Sequence, residues 1–141
     1  MAGYFVLDCS VAAGWFFEDE FNAYTRSVRG LILEKGTTAV VPAVWPAEVA
    51  NVLFQAERRK RILPEKVNQA MQILSQLPIE TDHLPMTNMG HVLHLCRQYA
   101  LTSYDALYLE LALRRNIALA TQDRKLKSSA EAAGVKLVPR V

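Results

Sequence analysis

The sequence has little cysteine and no long apolar run. Its 141 residues include two cysteines, Cys9 and Cys96, which are too few for a disulfide framework and show no CxxC spacing. No apolar segment approaches the roughly 18 residues that a membrane span requires. The N-terminal MAGYFVLD lacks the basic region and the long apolar stretch of a signal peptide. We therefore expect a cytoplasmic protein without a membrane segment, with both cysteines reduced and buried.

The composition is that of a globular chain. Hydrophobic residues make up 51% of the sequence and charged residues 21%, and 141 residues suit one domain of ordinary size. We expect a single domain over residues 1–141. The net charge of +2 says little, but many basic residues are clustered, which indicates either a solvated face or a footprint for an anionic polymer. These clusters are Arg58, Arg59, Lys60 and Arg61; Arg114 and Arg115; and Arg124, Lys125 and Lys127.

Short apolar strands alternate with helices along the whole sequence. Strands are predicted at residues 4–7, 38–41, 79–80, 117–120 and 135–138. Helices are predicted at residues 11–17, 21–34, 46–61, 65–77, 88–99, 104–115 and 125–133. Such alternation is typical of parallel strands joined by helical crossovers. The sequence therefore predicts an α/β fold, a three-layer α/β/α sandwich with a central, mostly parallel sheet of about five strands.

Four isolated acids fall at the carboxyl edge of that sheet, where ligands bind in open parallel sheets. Asp8 directly follows the first strand, Asp123 follows the fourth, and Glu48 begins the helix after the second. Asp105 opens the helix that returns the chain to the amino end of the fourth strand, so it also starts at the carboxyl edge. A second interpretation of Asp105 is structural: Thr102 would be the N-cap and Asp105 the N3 residue, where a carboxylate suits the helix dipole.

Carboxylates that converge repel one another and raise each other's pKa values unless a cation binds them. Mg²⁺ and Mn²⁺ prefer carboxylate and water oxygens, so the four acids predict a metal site. Such an ion suits phosphate chemistry, because it activates water for in-line attack and stabilises the leaving oxygen. Without these four acids the chain keeps 16 basic residues against 10 acidic ones, a surface that suits a nucleic-acid backbone.

Four segments of the sequence resemble the PIN domain family, and most closely its VapC-type toxin ribonucleases. They are DCS (8–10), PAEVANVL (46–53), LTSYDALYLELA (101–112) and ATQDRKL (120–126), in the family's order and over nearly the whole chain. The resemblance implies a catalytic and metal-binding set with two supporting hydroxyls. The set is Asp8, Glu48, Asp105 and Asp123, and the hydroxyls belong to Ser10 and Thr121. The resemblance does not settle whether the last motif requires a further acid after Asp123. In this chain Arg124 and Lys125 follow Asp123.

The resemblance also implies a function. Similar proteins are Mg²⁺- or Mn²⁺-dependent endoribonucleases that form homodimers. A cognate VapB-type antitoxin holds them inactive, and DNA is contacted only through the antitoxin complex. From their charge, the candidates to hold RNA phosphates in this chain are Arg58, Arg59, Lys60, Arg114 and Arg124.

Two other functions stay open. A metal-dependent phosphatase usually carries a nucleophilic Asp followed two residues later by a second Asp, and Ser10 occupies that position here. A non-catalytic nucleic-acid-binding or scaffold domain would have a degenerate acid set, whereas all four acids are present.

Several other side chains have both a functional and a structural interpretation. His91 and His94 could chelate a metal at i,i+3 spacing, but a surface pair is the simpler expectation. Glu110 lies about 140° around the helix from Asp105 and should pair with Arg114 at i,i+4. Cys9 should pack inward. The aromatic residues are either core or an exposed groove for an antitoxin helix or a dimer contact; they are Trp15, Phe16, Phe17 and Trp45.

Overall fold

A parallel sheet of four strands forms the centre of the molecule. In the computed structural model, which describes residues 3–139, the strands are β1 (Tyr4–Leu7), β2 (Thr38–Pro42), β3 (Ile79–Asp82) and β4 (Ala118–Ala120). Their order in the sheet is β3-β2-β1-β4, and each neighbouring pair is parallel.

The helices of residues 3–139 alternate with these strands. They are α1 (Cys9–Gly14), α2 (Ala23–Leu33), α3 (Trp45–Arg58), α4 (Pro64–Ser75), α5 (Met89–Tyr99), α6 (Ser103–Arg115) and α7 (Arg124–Ala132). A short 3₁₀ helix, Met86–Asn88, precedes α5. Within these residues, no helix combines the length and the apolar character that crossing a membrane requires.

Helices cover both faces of the sheet. Side chains of a strand alternate between its faces, and on β3 Ile79 and Thr81 line a cavity together with residues of α3 and α4. Asp82 lies on the opposite face and pairs with Arg114 of α6. The central strand β1 is covered on both sides, since its residues 5–7 are 2% exposed or less. The predicted three-layer α/β/α arrangement is confirmed.

The predicted last strand, at residues 135–138, is wrong as a strand. Leu137 forms a single parallel bridge with Leu119, and the hydrogen bonds around it are Leu119 N–H to Lys136 O and Val138 N–H to Leu119 O, both at 2.9 Å. Pro139 follows and has no N–H with which to extend the ladder. The sheet therefore has four strands and one added bridge, which roughly matches the predicted sheet of about five strands.

The first predicted helix also differs from the one observed. It was expected at residues 11–17, whereas α1 begins at Cys9 because Asp8 takes the N-cap position directly after β1. It ends at Gly14, after which the N–H groups of Trp15 and Phe16 bond three residues back, as in a tight turn. This early start brings the side chains at the beginning of α1 against the end of β4, where Asp8 N–H donates to Ala120 O at 3.0 Å.

Candidate active site

Asp8 is the most buried of the four predicted acids, with 5% of its surface exposed. It holds the N-cap position of α1, yet its side chain makes no capping bond. Oδ2 instead accepts hydrogen bonds from Ser10 Oγ and Thr121 Oγ1, both at 2.7 Å. Oδ1 accepts none from any residue in 3–139. Two donors on one oxygen fix the carboxylate and leave the other oxygen for an external ligand.

The two hydroxyls that hold Asp8 are themselves held by the chain after β4. Gln122 N–H donates to Ser10 Oγ at 3.1 Å, and Asp123 N–H donates to Thr121 Oγ1 at 3.0 Å. Each hydroxyl accepts from the backbone and donates to Asp8, which sets the direction of its hydrogen. Both predicted supporting hydroxyls, those of Ser10 and Thr121, thus contact the carboxylate of Asp8.

Glu48 lies in the first turn of α3 and is half-buried. Its Oε1 accepts a hydrogen bond from the hydroxyl of Tyr108, whose side chain is fully buried on α6. The sequence alone did not predict this bond. One signal was present: Tyr108 follows Asp105 at i,i+3 spacing, which puts both side chains on one face of the helix.

Asp105 and Asp123 are placed at the rim by two helix starts. Asp105 N–H donates to Thr102 Oγ1 at 3.2 Å, so the capping interpretation of this stretch is confirmed, and it coexists with the placement of Asp105 beside the other acids. Asp123 is the N-cap of α7, and its Oδ1 accepts from Leu126 N–H at 2.9 Å. Each helix start therefore fixes the backbone next to one carboxylate.

The acids are close enough to influence one another's protonation. Burial is the main cause that raises the pKa values of Asp8, Glu48 and Asp105. Mutual repulsion adds to it, because Asp105 and Asp123 raise the pKa of Asp8, and Asp8 and Asp105 raise that of Glu48. Lys125 of α7, a member of the third basic cluster, lowers the pKa of Asp105 in part. Within residues 3–139 none of the four acids forms an ion pair, so the rim concentrates uncompensated negative charge.

The donor chemistry at the rim fits a hydrated hard cation. Among residues 3–139, no three His, Cys, Asp or Glu side chains form a ready-made group that could hold a metal ion. Mg²⁺ usually takes only one or two carboxylates, keeps several waters and contacts substrate phosphates. An oxygen donor set suits Mg²⁺ or Mn²⁺ and not the softer metals. The residues present therefore fit a Mg²⁺ or Mn²⁺ ion that is completed by water and substrate.

Other candidate ligands lie outside this group. His91 and His94 are both exposed on α5. Cys9 and Cys96 were both expected to be buried, but both are half-buried and pack against the core. Burial raises the pKa of the Cys9 thiol, which keeps it neutral.

The basic residues predicted to hold RNA lie in three different places. Arg124 is the first residue of α7, directly after Asp123. Arg58 ends α3, with Arg59 and Lys60 just beyond it, about 15 Å along the helix axis from Glu48 by helical rise. Arg114 forms ion pairs with Glu110, as predicted, and with Asp82. Because the guanidinium of Arg114 already forms ion pairs with two acids, Arg114 is left out of the residues proposed to bind RNA.

Comparisons with known proteins place these features in a family. The family model described as PIN domain matches residues 5–132. VapC20 of Mycobacterium tuberculosis, described as a sarcin–ricin loop cleaving toxin, superposes with a TM-score of 0.71 at 14% identity, over 97% of this chain and 99% of that one. PAE2754 of Pyrobaculum aerophilum gives 0.70 at 22% identity, over 92% and 81% of the two chains.

A third solved structure, VapBC2 of Rickettsia felis bound to a fragment of its promoter DNA, gives a TM-score of 0.67 at 15% identity, over 98% of this chain and 99% of that one. Among curated proteins, none matches the chain. At these identities the solved structures establish a shared fold.

Proposed function

The chain belongs to the PIN domain family, and on this premise we propose that it is a metal-dependent endoribonuclease, the toxin of a toxin–antitoxin pair. The observation that carries the proposal is the arrangement around Asp8. Its carboxylate is buried, held through one oxygen by Ser10 and Thr121, and surrounded by three more acids without an ion pair among residues 3–139. The likeness to a sarcin–ricin loop cleaving toxin supports RNA as the substrate.

Asp8, Glu48, Asp105 and Asp123 would hold a Mg²⁺ or Mn²⁺ ion. Such an ion, when bound, activates water for in-line attack and stabilises the leaving oxygen of the phosphodiester. The chain's own residues orient the ligands: Ser10 and Thr121 fix Asp8. The Tyr108 hydroxyl fixes Glu48 in the same way. Preorganised ligands of this kind need no rearrangement when the substrate arrives.

The proposed partner is a VapB-type antitoxin, with DNA contacted only through the complex and with the toxin itself a homodimer. The VapBC2 neighbour, solved bound to promoter DNA, supports the antitoxin partner and the contact of the complex with DNA. Of the aromatic residues left open by the sequence, Phe17 and Trp45 are core residues, each 5% exposed. Phe16 instead lines a groove with Ile62 and Ile73 of the α4 region, an apolar surface that suits a partner helix.

An RNA cleavage assay tests the catalytic proposal. Purified protein is incubated with mixed RNA in Mg²⁺ or Mn²⁺, in EDTA, and as the Asp8→Asn variant; we expect cleavage only in wild type with metal. Asp19→Asn is the matched control, since it makes the same change at an acid that is exposed and pairs with Arg61. Cleavage that survives EDTA or Asp8→Asn would rule out the mechanism. Phosphate release from small esters without RNA cleavage would favour a phosphatase, and binding without hydrolysis would favour a non-catalytic domain.

A further inference from the structure

Two arginines are gathered on one aromatic ring at the start of α2. The guanidinium carbons of Arg26 and Arg29 lie 5.3 and 4.8 Å from the centroid of the Phe21 ring. Neither arginine has an ion-pair partner among residues 3–139. Arg26 is exposed and Arg29 is half-buried. These three residues, the Phe21 cluster, therefore present two fixed and uncompensated positive charges.

The Phe21 cluster is connected to the acid rim by hydrogen bonds. Asn22, which caps α2, donates from Nδ2 to Gln122 Oε1 at 2.9 Å. Gln122 N–H in turn donates to Ser10 Oγ, which donates to Asp8. Side chains of a helix lean toward its N-terminus, and both arginines reach back to Phe21. Their charges therefore lie at the end of α2 that is joined to the rim.

Other basic groups are neutralised or remote. Three arginines within residues 3–139 form ion pairs with carboxylates: Arg61, Arg114 and Arg115. Arg58 and Arg59 lie at the far end of α3 from Glu48. Arg124 and Lys125 begin α7 directly after Asp123, two and three residues beyond Gln122 in the chain. Gln122 is thus linked through Asn22 to the cations of α2 and through the chain to those of α7.

We propose that the Phe21 cluster binds the phosphate backbone of the RNA strand beside the acid rim. The inference rests on the proposed function, which puts one phosphate of the strand at the rim. The rim itself repels RNA, so the neighbouring phosphates require cations on either flank. Guanidinium groups suit them, because they bind phosphate through two parallel hydrogen bonds. Stacking on Phe21 orders the arginines in advance and leaves their N–H edges free.

Binding of a labelled single-stranded RNA to the full chain in EDTA, followed by fluorescence anisotropy over a range of salt concentrations, tests the inference without cleavage. We compare wild type with the double variants Arg26→Gln/Arg29→Gln and Lys35→Gln/Arg97→Gln, which remove the same charge. Lys35 follows α2 at its far end and Arg97 lies on α5, and both are exposed. The first should bind more weakly, with a salt slope shallower by about 1.4, because each single-strand phosphate contact contributes about 0.7. The second should keep the wild-type slope.

A third variant keeps the inference testable if Arg26→Gln/Arg29→Gln fails to fold. Phe21→Leu keeps both charges and much of the apolar volume, so it should retain the salt slope and lose affinity by about two- to five-fold. Equal slopes for wild type and Arg26→Gln/Arg29→Gln, a larger loss in Lys35→Gln/Arg97→Gln, or no RNA binding by wild type would overturn the inference. Equal losses on duplex DNA would overturn the assignment to RNA.

Cleavage of the same RNA by wild type in Mn²⁺ separates the two proposals. If wild type cleaves the RNA and Arg26→Gln/Arg29→Gln binds it as tightly as wild type does, only the proposal that the Phe21 cluster binds RNA is overturned. If wild type never cleaves the RNA but Arg26→Gln/Arg29→Gln shows the expected shallower salt slope, only the proposed nuclease function is overturned. The Phe21 cluster then remains an RNA-binding surface.

Discussion

The hydroxyl of Tyr108 is buried on α6 and donates to Glu48 on α3. Burial raises the pKa of Tyr108, so the group stays protonated and serves as a hydrogen-bond donor. The Tyr108→Phe change removes the donor and keeps the ring. We expect Mn²⁺ to bind about 10- to 100-fold more weakly, the usual effect of losing a residue that orients a metal ligand. Isothermal titration calorimetry of the variant and of wild type measures this difference.

Tyr104→Phe is the control for that experiment, because Tyr104 lies on the same helix and is 58% exposed. It should leave Mn²⁺ affinity and melting temperature at the wild-type values. If Tyr108→Phe folds normally and binds Mn²⁺ as tightly as wild type, the hydroxyl has no role in orienting Glu48.

Single residues differed in how visible their roles were in the sequence. Asp8, Glu48, Asp105 and Asp123 could be selected because each follows a strand or starts a helix at one edge of the sheet. Tyr108 could not be assigned, since a tyrosine within an apolar helix pattern looks like any core residue, and its partner Glu48 is 60 residues away. The second partner of Arg114 could not be predicted for the same reason, because Asp82 lies on β3, 32 residues away.

The connection between β4 and α7 is an element whose geometry depends on Thr121. Its hydroxyl donates to Asp8 Oδ2 and accepts from Asp123 N–H, so one side chain joins two of the four acids. The Thr121→Val change should lower the free energy of unfolding by about 1–3 kcal/mol, since it leaves buried polar groups unpaired. Urea denaturation of metal-free protein gives this value.

Thr121→Ser restores the hydroxyl and should recover most of both stability and RNA cleavage. If the serine variant stays as unstable and inactive as the valine variant, the threonine methyl group and not the hydrogen bonds accounts for the effect.

The end of α6 is fastened to the edge strand β3 by Arg114. Its guanidinium bonds Asp82 of β3 and Glu110 of α6, which are 9% and 2% exposed. The Arg114→Met change should cost about 1–3 kcal/mol, because it leaves a buried carboxylate without its donor. The matched control Arg61→Met breaks exposed ion pairs with Asp19 and Glu20, for which about 1 kcal/mol or less is expected.

The pH dependence of that loss has a defined sign. Hydrogen bonds from Arg114 lower the pKa of Asp82, so the stabilisation is present above the ordinary value of 3.8 and disappears as the pH falls through the lowered value. Wild type and Arg114→Met should therefore converge in stability under acid. A difference that stays constant down to the lowest pH at which the protein is folded would contradict this account.

At the level of elements, the sequence located strands and helices well and their ends less well. The alternating pattern VKLV at 135–138 has the period of a strand, yet only Leu137 pairs. Strand length depends on how many partners the neighbouring strand offers, and β4 itself has only three residues. The number of residues with which a neighbouring strand can pair follows from packing across the sheet, so the local sequence pattern does not predict it.

For the molecule as a whole, the acid rim works against folding when no cation is bound. Burial and mutual repulsion raise the pKa values of Asp8, Glu48 and Asp105. Between the ordinary aspartate value of 3.8 and the raised values, the folded chain binds more protons than the unfolded chain. These groups therefore lower the free energy of unfolding as the pH rises through that window, and the loss persists at neutral pH.

Asp8→Asn tests this directly in EDTA, because the amide oxygen can still accept from Ser10 and Thr121 while the charge is gone. Its stability relative to wild type should increase from acid to neutral pH, whereas the exposed control Asp19→Asn should show no such trend. In Mn²⁺ at neutral pH the order reverses, since an ion that binds only the folded state stabilises wild type and not the variant. Thermal melting over pH, with and without Mn²⁺, measures both effects. Parallel pH profiles for wild type and Asp8→Asn would show that the charge of Asp8 does not lower the stability of the folded chain. Equal stabilisation of both by Mn²⁺ would show that Asp8 does not bind the ion.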